Sequence, residues 1–132
     1  KGNLNVDYEG TPYYKQVEYL NEEMADAYAC ADVIVSRAGA NALCEILAAR
    51  KPALLIPYPK DASRGDQLLN AESFRSRGIS RVLLQEDMTP DALVDAVTQL
   101  YHDRGALYAA MIAEPTANGI DNVLEQIYKC AK

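Results

Sequence analysis

Three short apolar runs constrain this chain more than anything else in it: DVIVS at 32–36, ALLIPY at 53–58 and SRVLLQ at 80–85. They have the length of strands and little of the polar alternation of a half-exposed strand, so they read as strands buried on both faces. Between them lie two helical patterns. NALCEILAAR (41–50) ends at Lys51-Pro52, and DQLLNAESFRSR (66–77) stops at Gly78. Upstream, QVEYL (16–20) reads as a further short strand, and EEMADAYACA (22–31) as a helix with Met24, Ala27, Tyr28 and Ala31 on one face. Downstream, TPDALVDAVTQLYH opens with an N-cap pattern, Thr89 before Pro90. Glu114-Pro115-Thr116 and Asn118-Gly119 then break the chain before a last helix, roughly 120–131. Strands alternating with helices imply right-handed βαβ units. The expected fold is therefore α/β and Rossmann-like, a parallel sheet with helices on both faces.

Composition narrows the function classes. With 132 residues, 49% hydrophobic and 24% charged, the chain reads as one soluble globular domain able to bury a core. A formal net charge of −6 argues against a nucleic-acid partner, and against this segment holding an anionic membrane by itself. No run has the length of a membrane span, and KGNLNVDYEG has no signal-peptide core. Cys30, Cys44 and Cys130 lack metal-ligand spacing and read as buried free thiols in a reducing cytoplasm. A single histidine, His102, leaves little room for a zinc site or a Ser-His-Asp triad and reads as a surface residue. Four strand-like segments are few for a doubly wound sheet. The first follows about fifteen polar residues without a pattern, so the chain is either a small α/β module or begins partway through a larger domain.

Open α/β sheets bind ligands at the carboxyl ends of their strands, which singles out the loops 20–22, 36–41 and 58–66. In SRAGANALCEI (36–46), Gly39 allows a sharp turn and a close ligand approach, and the amides of Ala40, Asn41 and Ala42 become first-turn donors at a helix start. That suits a phosphate; it equally suits a plain strand-to-helix turn. The stretch has neither a Walker ending nor a GxGxxG fingerprint. Glu45 is the only charged residue between Arg37 and Arg50 and shares a helix face with Asn41, four residues earlier. Its two carboxylate oxygens suit the vicinal hydroxyls of a ribose, or it is a surface glutamate. Asp66, Gln67 and Asn70 cluster at the next helix start, as a hydroxyl-rich ligand needs, or serve as caps and surface residues. Lys60, Arg64, Arg75 and Arg77 are either solvated or meet an anionic partner.

Residues 22–74 resemble the donor-binding half of the MurG family of bacterial glycosyltransferases. That family moves N-acetylglucosamine from UDP-GlcNAc to undecaprenyl-pyrophosphoryl-MurNAc-pentapeptide in peptidoglycan synthesis. The resemblance runs from about Val17 to Asp87. It rests on the ordered set acidic-Met-x-x-x-Tyr, SRAGA, x-E-I, KPALLIP and Gln-x-x-Asn-Ala. It implies that residues 1–132 are the C-terminal, UDP-GlcNAc-binding domain of a GT-B enzyme, without its first strand or strands, its Gly-Gly-Ser loop or its acceptor domain. By the same resemblance Leu20 contacts uracil through its backbone, and Gly39, Ala40 and Asn41 cradle the diphosphate. Glu45 holds the ribose, while Asp66 and Gln67 fall where the family touches the sugar. Gln67 matches the family there and Asp66 departs from it.

No metal or cofactor is implied beyond the donor substrate. The resemblance also implies that no catalytic residue falls within this segment, the base for the attacking hydroxyl belonging to the other half. Little transferase activity is therefore expected from these residues alone. The full-length protein is expected in the cytoplasm, peripheral at the inner face of the membrane, and an exposed sheet edge would favour self-association. Two alternatives are the stand-alone catalytic half of a related UDP-GlcNAc transferase with a membrane partner, and a non-catalytic α/β interaction module. A dehydrogenase half is a third, and the missing GxGxxG speaks against it.

Overall fold

The structure, a computed structural model, describes residues 4, 6–8 and 10–114. The last helix expected at 120–131, and Cys130 within it, lie outside the described residues. The chain divides into two compact units, up to Ala31 and from Asp32 onward.

The first unit holds a short 3-10 turn, Val6–Tyr8, and one helix, α1 (Met24–Cys30). The rings of Tyr8 and Tyr14 meet edge to face at 5.7 Å. QVEYL is not a strand: it joins no ladder among the described residues, and Val17 and Tyr19 are exposed. Alternation supplies only the side-chain pattern of a strand, whereas pairing makes one.

The second unit carries the sheet. In chain order it contains β1 (Ile34–Ser36), α2 (Ala40–Ala49), β2 (Ala53–Leu55), α3 (Lys60–Ser63), α4 (Asp66–Ser76), β3 (Arg81–Val82) and α5 (Pro90–Ala113). The strands are parallel in the order β1-β2-β3, with Ser36 opposite Leu55 and Leu55 opposite Val82. Each strand is shorter than its apolar run. The ladder nevertheless continues beyond the strands, through Ile56 N–H to the Ser36 carbonyl (2.8 Å) and Leu83 N–H to the Leu55 carbonyl (3.0 Å). Only β2 is buried throughout. β1 is an edge among the described strands and leaves Val35 48% exposed, so the expectation of burial on both faces fails there.

The pleat sends the side chains of β2 to opposite faces. Leu54 and Ile56 form a core with Leu100 and Leu107 of α5, joined by Val33, Leu83, Leu93, Ala96 and Val97. Ala53 and Leu55 point the other way and are fully buried. The crossovers through α2 and α4 proceed in the same direction across the sheet, and right-handed connections place both helices on that second face. Leu43, Ile46, Ala71 and Phe74 supply its buried apolar groups. Helices thus cover both faces of the sheet.

Helix ends follow local chemistry. α4 closes with Ile79 N–H on the Phe74 carbonyl (3.1 Å) and Gly78 N–H on the Arg75 carbonyl (2.9 Å). Gly78 sits at φ 70°, the left-handed geometry of a Schellman turn. α2 closes the same way, Lys51 N–H to Ile46 and Arg50 N–H to Leu47, both 3.1 Å, but with Arg50 at φ 51° in the glycine position. The segment 58–66, expected as an open loop, contains the helical turn α3. It then reverses through two left-handed residues, Arg64 (φ 54°) and Gly65 (φ 88°).

Candidate functional site

Because the strands are parallel, their carboxyl ends lie on one edge. β1 exits into Arg37, Ala38 and Gly39, β2 into Ile56 to Pro59, and β3 into Leu83 and the 3-10 turn Gln85–Asp87. The N-termini of α2 and α4 return to the same edge, since each follows a strand exit. Asn70 Nδ2 donates to the Ala38 carbonyl (3.0 Å), which ties the first turns of α4 to the residue just before Gly39. The structure therefore brings the stretch from Gly39 to Glu45 and the stretch from Asp66 to Asn70 together. Leu20 belongs to the first unit, half-buried in an irregular segment.

Gly39 is the N-cap of α2 at φ −72°, ψ 143°, a conformation open to any residue. A Cβ built there would meet no atom within 4 Å. Neither the turn nor the packing of the chain requires glycine. No side chain caps α2, so its first-turn amides at Ala40, Asn41 and Ala42 stand at the positive end of the helix without a side-chain acceptor from the cap. Asn41 and Glu45 are both exposed, one helical turn apart.

At α4, Gly65 is an N-cap without a side-chain bond, and Asp66 is exposed in the first turn. Gln67 is half-buried; its Oε1 accepts the Tyr58 N–H at 3.1 Å. Arg37 bridges the three strand exits. Its Nη1 donates to the Ile56 carbonyl (3.0 Å) and to Gln85 Oε1 (2.8 Å), and its guanidinium lies 4.0 Å over the Tyr58 ring. The sequence reading missed Arg37, Tyr58 and Gln85. These contacts span up to 48 residues, and no local pattern encodes them.

Two basic residues left open by the sequence are taken up in surface pairs. Arg75 binds Glu72 through two hydrogen bonds, and Arg77 binds Glu114 of the α5 terminus. Both stand at the far end of α4, about 15 Å from its first turn. The Arg77 hydrogen bonds hold the Glu114 carboxyl below its ordinary range, and those of Arg75 do the same for Glu72. Cys30 and Cys44 are free thiols as expected but exposed, not buried. His102 is exposed on α5, as expected. Among the described residues no group of three or more His, Cys, Asp or Glu is placed to hold a metal ion.

Fold and edge together define an open parallel α/β domain with two uncapped helix starts gathered where such sheets bind their ligands. The chain belongs to the glycosyltransferase family 28 C-terminal domain family, whose model matches residues 3–127. A protein of Lachnospira eligens named UDP-N-acetylglucosamine--N-acetylmuramyl-(pentapeptide) pyrophosphoryl-undecaprenol N-acetylglucosamine transferase is 47% identical over 127 residues, covering 96% of this chain and 36% of that protein. A protein of the same name in Geobacillus thermodenitrificans is 44% identical over 132 residues, covering all of this chain and 37% of that one. The crystal structure of Acinetobacter baumannii MurG superimposes with a TM-score of 0.72 at 30% identity, covering 86% of this chain and 33% of that one. The chain thus spans about a third of the length of these relatives. Its α/β fold is that of the C-terminal domain of a GT-B glycosyltransferase, as the resemblance implied.

Proposed function

We propose that this chain is the donor-binding part of an inverting glycosyltransferase. The enzyme moves N-acetylglucosamine from UDP-GlcNAc to undecaprenyl-pyrophosphoryl-MurNAc-pentapeptide in peptidoglycan synthesis. The observation that carries the reading is Gly39: a glycine that neither backbone conformation nor packing requires, at the uncapped start of a ten-residue helix that carries an exposed carboxylate, Glu45, in its second turn. A ligand that must approach those amides closely gives this glycine a purpose. Gly39, Ala40 and Asn41 hold the diphosphate, Glu45 the two ribose hydroxyls, and Asp66 and Gln67 the sugar. Leu20 offers its backbone to uracil.

The mechanism follows from charge. An acceptor hydroxyl attacks the anomeric carbon, the bond to the β-phosphate oxygen breaks, and UDP leaves with an added negative charge. Amides fixed at a helix start stabilise that charge without reorganising, and more strongly than they stabilise the neutral ester oxygen it replaces. The proton of the attacking hydroxyl goes to a base supplied by the remainder of the enzyme, which also supplies the acceptor site. Among the described residues no helix is long and apolar enough to cross a membrane. In this reading the enzyme acts as a peripheral protein on the inner face of the membrane.

Calorimetric titration of UDP and UDP-GlcNAc tests the site, in this chain and in a full-length protein containing it, each beside a Glu45→Gln variant. Loss of hydrogen bonds to a charged acceptor should weaken both ligands about tenfold or more. Equal binding by the full-length protein and its variant would remove Glu45 from the site.

A further inference from the structure

We propose that Arg37 is a positioning residue for the transferred sugar and not a ligand of the phosphates; the proposal rests on the UDP-sugar reading above. An arginine two residues before a phosphate-binding turn would ordinarily be taken for an anion ligand. Its geometry commits Nη1, two of the five guanidinium N–H donors, elsewhere. Nη1 carries two hydrogens, and both are used inside the protein, on the Ile56 carbonyl and on Gln85 Oε1. One face of the guanidinium lies on the Tyr58 ring, within the range of a favourable cation–π contact. From the end of β1, Arg37 thus fixes the ends of β2 and β3 against each other.

The connection reaches the sugar side through one residue. Tyr58, under the guanidinium, gives its backbone N–H to Gln67 Oε1. An amide N–H needs an acceptor, so this bond decides which way the Gln67 carboxamide is turned. The oxygen faces the chain, and the NH2 is the end left to meet a sugar hydroxyl as a donor. Arg37 sets Tyr58, and Tyr58 sets Gln67. Lysine cannot replace it, having neither a planar face for the ring nor two donors on one nitrogen in a fixed fork.

The test uses a full-length protein containing this domain, with Arg37→Lys, Gln85→Met and Tyr58→Leu made separately. UDP and UDP-GlcNAc are titrated into each, and Tm is recorded. Arg37→Lys should weaken UDP-GlcNAc about fivefold or more relative to UDP, with UDP affinity nearly unchanged. Tyr58→Leu, which removes the stack and keeps the arginine, should show the same selective loss should Arg37→Lys fail to fold. Gln85→Met should lie between these and wild type. A parallel loss of both ligands would make Arg37 a phosphate ligand, and unchanged affinities would leave it without a role; either result overturns the proposal. Failure of the wild-type protein to bind UDP or UDP-GlcNAc would instead overturn the function proposed above. Hydrogen exchange at the Tyr58 amide then decides the positioning question without ligand: it should quicken in Arg37→Lys, and an unchanged rate would refute the coupling.

Discussion

At the scale of single residues, two backbone positions show opposite uses of glycine. Gly39 occupies an N-cap that any residue can adopt, and serine caps a helix better than glycine does. Gly39→Ser should therefore raise stability by a few tenths of a kcal/mol. The same change should weaken UDP binding, because the new side chain takes up the amides and crowds the ligand. Denaturant melts and calorimetry on one variant would show stability and affinity moving in opposite directions; affinity held at the wild-type level would argue for a plain turn. Arg50 is the converse case, a side chain in a left-handed position where α2 ends. Arg50→Gly should stabilise the protein by about 1 kcal/mol, because the αL penalty outweighs the flexibility gained by the unfolded chain. The urea midpoint measures it.

At the scale of elements, α5 is the one that most exceeds its sequence signal. Thr89 Oγ1 accepts the Ala92 N–H and Pro90 opens the helix, as the sequence indicated. The helix then runs 24 residues, past His102, Asp103, Arg104 and Gly105, where the apolar pattern fades. Asp103 explains the fading: it pairs with Arg81 of β3, so a charge occupies one turn of the buried stripe between Leu100 and Leu107. Gly105 lies in helix with open space around its Cβ position, so Gly105→Ala should stabilise by up to about 1 kcal/mol, read from the Tm. The end of α5 is held to the end of α4 by Glu114 and Arg77. The Glu114 carboxyl is lowered from its ordinary value of 4.5 by the Arg77 hydrogen bonds. A depressed folded-state value means stability that is fully present above 4.5 and lost as pH falls through that lower value. Tm measured against pH should fall more steeply on the acid side for wild type than for Glu114→Gln, the two curves approaching each other at low pH. The pair is exposed, so the difference should be small.

At the scale of the molecule, the second unit is organised around β2, whose residues alternate between the α5 face and the α2–α4 face and are buried on both. Leu54→Ala removes a side chain 1% exposed from the cluster with Ile56, Leu100 and Leu107. It should cost about 2–5 kcal/mol, a large part of the 5–15 typical of a domain, and thermal melts should show it as a large drop in Tm. The same architecture puts the candidate site on the exit edge of the sheet, so a core change that leaves the fold intact should leave the loops' chemistry in place.

The three strands of the sheet, the helices between and after them, their parallel direction and the loops at the strand exits were legible in the sequence, because apolar runs and helical spacing are local consequences of burial. The resemblance in SRAGA, the isolated Glu45 and Gln-x-x-Asn-Ala marked the candidate site for a similar reason: they are short patterns on one or two neighbouring elements. Tertiary structure alone decided that QVEYL is not a strand, that Val35 lies exposed, and that Cys44 sits on the surface of α2. Pairing and coverage depend on what lies across the sheet. It alone also joined Arg37 to Ile56, Tyr58 and Gln85, and Asn70 to Ala38. Those contacts connect residues 19 to 48 positions apart. A sequence specifies such bonds only through the fold that brings their ends within 3 Å.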